Sequence, residues 1–285
     1  MLLGASTFIW ESPFGDDKLY LAQHVASLGF NTLEICIEDP ALVTAAIVRR
    51  AAEAAGIHVL VCGAFGPDRD VSHEDARRRQ LGVAYLKRCI DIAAEVGSPL
   101  VSGPMYSATG KTRLLPEEER EQQRAWAAEG LHAAGEYAAA LGVGLAIEPL
   151  NRFETDLVNT VEQGLDLCRR IDLDNVGLLL DTFHMNIEEK STANALRAAD
   201  SRVRHVHACE NDRGAPGTGQ VPWESVFAAL QDIGYHGPIV IEAFTPQIKE
   251  IARAVSMWRP VAASSDELAS EGLRFLRQHL GALAG

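Results

Sequence analysis

Residues 142–148 read GVGLAIE, 175–181 NVGLLLD, 202–207 RVRHVH and 237–242 GPIVIE. Each is a short apolar run closing on a side chain that can bind a metal: Glu148, Asp181, His207 and Glu242. Their separations are 33, 26 and 35 positions, about the length of one strand–helix unit. Working outward, further strand-like runs lie near 2–9, 31–37, 57–63 and 99–103, which makes eight in all. They are mostly non-alternating and apolar, as strands of a parallel sheet covered on both faces are.

Helical patterns fill the gaps. Leu81, Tyr85, Cys89, Ile92 and Val96 form one apolar stripe, and Trp126, Gly130, Ala134, Tyr137 and Leu141 form another. Val161, Leu165, Cys168 and Ile171 repeat the pattern. Thr160 with Gln163, and Ser264 with Glu267, have capping-box spacing. Gly29, Gly56, Gly97, Gly142 and Gly234 each stand shortly before a strand, where a helix has to stop. Eight strand–helix units in 285 residues predict a (β/α)8 TIM barrel. A doubly wound open sheet would need a glycine-rich phosphate turn after the first strand, and STFIWESPFG (6–15) is not one. No linker divides the chain, so a single barrel domain over 1–285 is expected, closed by a helix at about 264–282.

Composition narrows the function. A formal charge of −13 argues against a nucleic-acid partner, because such proteins present a basic face. No run approaches the roughly 20 apolar residues of a membrane helix. MLLGASTFIW reads as a first strand rather than a signal peptide. The five cysteines are scattered without CxxC pairing, which points to buried free thiols in a reducing cytoplasm.

A barrel of this kind brings all strand C-termini to one rim. Glu148, Asp181, His207 and Glu242 then come from strands five to eight and converge. Singly, each has a plain reading as a loop cap or a core residue. Together, three acids without a cation would repel one another at high desolvation cost, and a divalent ion removes that cost. Oxygen donors with one imidazole suit Mn²⁺, with Co²⁺ or Mg²⁺ as alternatives and Zn²⁺ still open. Cys209 reads as packing rather than a ligand. Arg152 and Glu154 follow the fifth strand, His184 the sixth and Arg213 the seventh, as a polar clamp for hydroxyl and carbonyl oxygens. PGTGQVPW (216–223) lacks the spacing and the lysine of a phosphate loop and reads as a turn into a helix near Pro222.

The chain resembles the ketose 3-epimerases, the D-tagatose, D-allulose (psicose) and L-ribulose 3-epimerase group of xylose isomerase-like barrels. The resemblance runs nearly end to end. It is carried by LGFNTLEI (28–35), IEPLNRFETDLVNT (147–160), LDTFHMNIEE (180–189), HVH (205–207), ENDRG (210–214), PGTG (216–219), IEAF (241–244) and MWR (257–259). It implies a metal held by Glu148, Asp181, His207 and Glu242, with Glu148 and Glu242 as the acid/base pair. Glu154, His184 and Arg213 match the residues that hold the substrate's O1–O3 region. A homodimer or homotetramer is also implied.

Epimerising C3 of a ketose requires a proton to leave beside a carbonyl and return on the other face, through a cis-enediolate. Two carboxylates and a Lewis acid supply that chemistry. Candidates for the outer end of the sugar are Phe8, Trp10, Phe14, Cys36, Phe65, Met105, Tyr106 and Phe244. The preferred sugar is open, because Ser6 and GPMYS (103–107) stand where some family members carry Tyr or His. Lys111 and Arg113 do not make a phosphate site, so an unphosphorylated ketose is expected. An aldose–ketose isomerase would use the same metal and acids. An abasic-site nuclease should be richer in metal-binding histidines and basic, and a non-catalytic sugar-binding barrel would not need both Glu148 and Glu242.

Overall fold

The computed structural model describes residues 1–283. Its eight strands are β1 (Leu3–Ser6), β2 (Thr32–Ile37), β3 (His58–Gly63), β4 (Leu100–Gly103), β5 (Gly144–Ile147), β6 (Val176–Asp181), β7 (Val203–Ala208) and β8 (Ile239–Ile241). All neighbouring pairs are parallel, and β8 pairs with β1, which closes the barrel in sequence order. The eight strand-like runs of the sequence are therefore all found. β1 stops short of residue 9 because the Ser6 hydroxyl accepts a hydrogen bond from the Phe8 N–H and starts a 3₁₀ turn, Thr7–Ile9.

The outer helices are α1 (Tyr20–Ser27), α2 (Ala45–Ala55), α3 (Ala76–Val96), α4 (Glu117–Ala140), α5 (Val161–Ile171), α6 (Thr182–Glu188), α7 (Thr192–Ala199), α8 (Trp223–Asp232), α9 (Lys249–Ala254) and α10 (Ser265–Leu283). Thr160 and Gln163 form the capping box that starts α5. Gly56 and Gly97 end α2 and α3 in the left-handed region, where a side chain would be strained. PGTGQVPW leads into α8, whose first residue is Trp223.

Two predicted helix faces differ from the observed ones. In α3, Tyr85, Cys89, Ile92 and Val96 are buried, but Leu81 lies outside and is 52% exposed. In α4 the buried face is Ala127, Leu131, Ala134 and Ala138, while Tyr137 and Leu141 stay exposed. Alanine methyls let this helix approach the barrel closely, which leaves no depth for the larger rings. Tyr137 instead donates its hydroxyl hydrogen to Asp91, and Trp126 lies under the Arg79 guanidinium.

The ladder between β6 and β7 slips by one residue between Leu178 and Leu179, which sets Asp181 opposite His207. A register slip re-aims every following side chain. Here it brings two of the candidate ligands to the same level of the rim.

Candidate active site

Glu148 immediately follows β5, Asp181 ends β6, His207 lies in β7 and Glu242 immediately follows β8. One potential ligand atom from each lies within 4.8 Å of those of the other three, and all four residues are buried. The structure thus brings together the four residues that the sequence singled out. Asp181 divides its two oxygens: Oδ1 accepts from the Phe183 N–H and caps α6, and Oδ2 faces the cluster. The capping role and the site role coexist.

His207 tests whether a metal fits. Its Nδ1 is buried without a hydrogen-bond partner and lies 3.6 Å from Glu242 Oε2 and 3.9 Å from Glu148 Oε1. A buried polar atom of this kind is costly unless something binds it. Three carboxylates and one free imidazole nitrogen make a fitting donor set for a hard or borderline divalent ion.

Arg213 enters the cluster with its backbone in the left-handed region, at φ 65°. Its Nη1 donates to Asp181 Oδ2 at 2.6 Å and to Glu242 Oε2 at 2.9 Å. The guanidinium lies between the Phe183 and Phe244 rings, 4.0 and 5.0 Å from their centroids. Burial would lower its pKa, but Asp181 and Glu242 outweigh that and hold it well above the usual arginine value.

The two candidate acid/base groups are pushed in opposite directions. Burial, reinforced by the charge of Glu242, holds the Glu148 carboxyl well above the usual carboxylate range. Burial acts on Glu242 too, but His207 and Arg213 outweigh it and hold that carboxyl below. In the metal-free protein the two carboxyls are thus driven apart, Glu148 toward its neutral form and Glu242 toward its ionised one.

His184 projects from α6, and its Nε2 lies 3.6 Å from Glu148 Oε1. Its Nδ1 accepts from the Asn151 N–H at 3.1 Å, so a neutral ring carries its hydrogen on Nε2. Burial keeps it neutral by pushing its pKa down to about 3. The 3.2 Å contact between Nε2 and Arg213 Nη2 then joins two donors, both suited to an oxygen placed between them. Asn151 also donates to Glu154 Oε1 at 2.8 Å. Burial raises Glu154 above the usual carboxylate value.

Beside the cluster lies a cavity of about 360 Å³, within the roughly 300–1,000 Å³ of small-molecule sites. Glu148, Glu154, His184, Arg213 and Glu242 are among its lining residues, as are Phe8, Phe65 and Phe244 and, from the α9 segment, Ile251, Ala254 and Val255. Trp10, Phe14, Cys36, Met105 and Tyr106 are not among its lining residues. The Tyr106 assignment is corrected for a physical reason. Its ring is fully buried, and its hydroxyl donates to the Val158 carbonyl while accepting from the Leu150 N–H, which spends it beneath the loop after β5. Trp10 gives its indole hydrogen to Asp266.

Other sequence readings meet the geometry directly. Arg152 turns outward to Glu188. The Cys209 thiol lies 2.8 Å from the Glu242 carbonyl, and burial pushes it well above the ordinary thiol pKa, so it stays protonated and packs. Lys111 is committed to Asp70 at 2.7 Å and to Ser72 at 2.9 Å, and Arg113 to Asp156 and Gln123. Lys111 ties the loop after β3 to the loop after β4, and the Gly110 N–H joins the latter to the Glu154 carbonyl at 2.7 Å.

Sequence reasoning missed Asn151, the α9 segment, Glu34 and His205. Glu34 is a lone acid in a strand whose six residues are all buried, and that oddity was the available signal. His205 sits two residues before His207, on the same side of β7.

A model of the xylose isomerase-like TIM barrel family matches residues 22–279. A probable ketose 3-epimerase of Synechocystis sp. is 35% identical over 96% of this chain and 95% of its own. The solved structure of an L-ribulose 3-epimerase superposes with a TM-score of 0.93 at 30% identity, covering 100% of this chain and 96% of the other. A D-allulose 3-epimerase from Methylomonas sp., solved in complex with D-allulose, gives 0.90 at 30% identity over 98% of this chain and 97% of that one.

Proposed function

This chain belongs to the ketose 3-epimerases of the xylose isomerase-like TIM barrel family, and on that premise we propose that it epimerises free ketoses at C3 with Glu148 and Glu242 as its two proton-transfer groups. The substrates fall in the D-fructose/D-allulose, D-tagatose/D-sorbose and L-ribulose range. One observation carries the reading: Glu148, Asp181, His207 Nδ1 and Glu242 converge in a buried cluster, of which Glu148 and Glu242 line the cavity. The paired carboxylates are what distinguish it from a sugar-binding barrel, since binding alone needs no proton donor and acceptor.

Glu148, Asp181, His207 and Glu242 are the residues that would hold the ion, Mn²⁺ by preference, with Co²⁺ or Mg²⁺ as alternatives. When bound, it supplies Lewis-acid polarisation of the substrate's oxygens. One of Glu148 and Glu242 accepts the C3 proton of one epimer, and the other gives a proton to the opposite face of the cis-enediolate. The reverse reaction exchanges the roles, as microscopic reversibility requires. Nε2–H of His184 and the Arg213 guanidinium donate to the oxygens near the reacting carbon, and Glu154, steadied by Asn151, accepts from a hydroxyl. Phe8, Phe65 and Phe244 pack along the outer end of the sugar and exclude water. The commitment of Lys111 and Arg113 to acidic partners supports an unphosphorylated substrate.

The same reading takes the chain as one domain that assembles as a homodimer or homotetramer in the cytoplasm. Leu114, Phe153 and Trp258, 98, 74 and 74% exposed, support assembly. Five buried free cysteines support a reducing compartment, and no helix among the described residues is long and apolar enough to cross a membrane.

The test is chromatography of sugars after incubating Mn²⁺-loaded protein with D-fructose, D-allulose, D-tagatose or L-ribulose, beside an EDTA-treated control. C3 epimers that vanish on chelation are expected. Aldose products would replace the reading with C1–C2 isomerisation, and turnover that survives complete chelation would remove the ion from the reaction.

A further inference from the structure

Glu34 stands in the middle of β2, fully buried, with β1 and β8 between its strand and β7. A carboxylate in such a place is tolerated only when its oxygens are taken up. Its Oε1 lies 2.8 Å from His207 Nε2 and its Oε2 lies 2.7 Å from His205 Nε2. On the far side of His205, Nδ1 faces the Pro238 carbonyl at 3.2 Å. A carbonyl only accepts, so that nitrogen carries a hydrogen, and Oε2 and Nε2 share the proton between them. Oε2 is thereby committed to His205, and Oε1 remains for His207. The two imidazoles pack edge to face, with centroids 4.9 Å apart and planes at 81°, so neither swings without displacing the other. Glu34, His205 and His207 also place nitrogen and oxygen atoms close enough to suggest a second ion site, but hydrogen bonds already use those atoms.

We propose that Glu34, backed by His205, is the positioning residue for His207. It holds the imidazole with its hydrogen on Nε2 and the lone pair of Nδ1 aimed at the cluster of Glu148, Asp181 and Glu242. That Nδ1 is buried without a hydrogen-bond partner, as a nitrogen kept free for a ligand is. The inference rests on the metal reading above. A carboxylate that orients a ligating imidazole from behind contributes about 10–100-fold in metal affinity.

The mode of action is the accepted hydrogen bond, and Glu34→Gln isolates it. Pro238 keeps the hydrogen of His205 on Nδ1, so His205 Nε2 attracts the new amide N–H₂ and leaves the amide oxygen for His207. Glu34→Leu removes the acceptor. Full-length protein is titrated calorimetrically with Mn²⁺, with thermal melts of each metal-free sample recorded alongside. Glu34→Gln is expected to bind near the wild-type value and Glu34→Leu about 10–100-fold more weakly. Independently of any variant, ¹H–¹⁵N spectra of Mg²⁺-loaded wild-type protein should place the His207 hydrogen on Nε2. A hydrogen on Nδ1 would overturn the proposal, as would equal losses in the Gln and Leu variants, or an unchanged affinity in the Leu variant. If Glu34→Leu does not fold, the spectra and Glu34→Gln decide. Absence of saturable Mn²⁺ binding to wild type would overturn the metal reading itself, and this inference with it.

Discussion

The first four strands finish on Ser6, Ile37, Gly63 and Gly103, whereas at the C-terminal ends of the last four stand Glu148, Asp181, His207 and Glu242. The whole ligand cluster stands on one half of the rim, the charged half, while the strand ends of the other, uncharged half set shape. A Cβ on Gly103 would lie 2.6 Å from the Gly63 carbonyl, in a backbone conformation at φ 123° that disfavours side chains. The Gly103 carbonyl also accepts the N–H of Glu148 at 3.1 Å. The closeness of β3 and β4 therefore fixes where the charged half begins. The contrast separates the groups that perform chemistry from the backbone that sets their distances.

The comparison breaks most visibly at the carboxylates. Glu148→Gln or Glu242→Gln is expected to lower turnover by about 10²–10⁴-fold while circular dichroism and melting remain those of a folded barrel. Near-wild-type rates in either variant would take that residue out of proton transfer. Arg213→Ala is expected next, raising KM by about 10–100-fold, the worth of hydrogen bonds to a charged group, with a smaller change in kcat. An unchanged KM would remove Arg213 from the clamp.

In the uncharged half, Gly103→Ala should act through the backbone and cost about 1–3 kcal/mol of stability, read from denaturant unfolding. A variant as stable as wild type would show that β3 and β4 can separate freely. The most gradual effect is a pH slope. Because burial takes His184 down to about 3 from an ordinary value near 6.5, the unfolded chain binds more protons between those limits. Stability of the metal-free protein should therefore fall as pH falls through that window, by at most about 1.4 kcal/mol per pH unit from this group. His184→Asn should flatten the slope measured by melting, and an identical slope would mean that His184 is not held neutral.

The charged half was legible in sequence because each of its residues follows an apolar run at the spacing of one strand–helix unit. Barrel closure then converts that spacing into proximity. Glu34 was not legible in the same way. Its partner His205 is 171 positions away, and the contact crosses the lumen rather than a strand pair, so only closure and side-chain reach create it. Asn151 was hidden because a turn, rather than a periodic element, directs it to both His184 and Glu154. Tyr106 misled in the opposite sense: proximity to the rim suggested contact with a ligand, whereas two backbone groups of the neighbouring loop claim its hydroxyl. The α4 face was misread because alanine carries little hydrophobic contrast, and close packing favoured the smaller side chains.

The Lys111 tie has a thermodynamic consequence. Its ammonium is nearly buried against Asp70, so the loops bearing Phe65 and Glu154 are already joined before a sugar arrives. Little ordering entropy is then left to lose on association. The heat-capacity change of binding should reflect the apolar surface of the cavity wall alone, without the larger negative contribution of a segment that folds around its ligand.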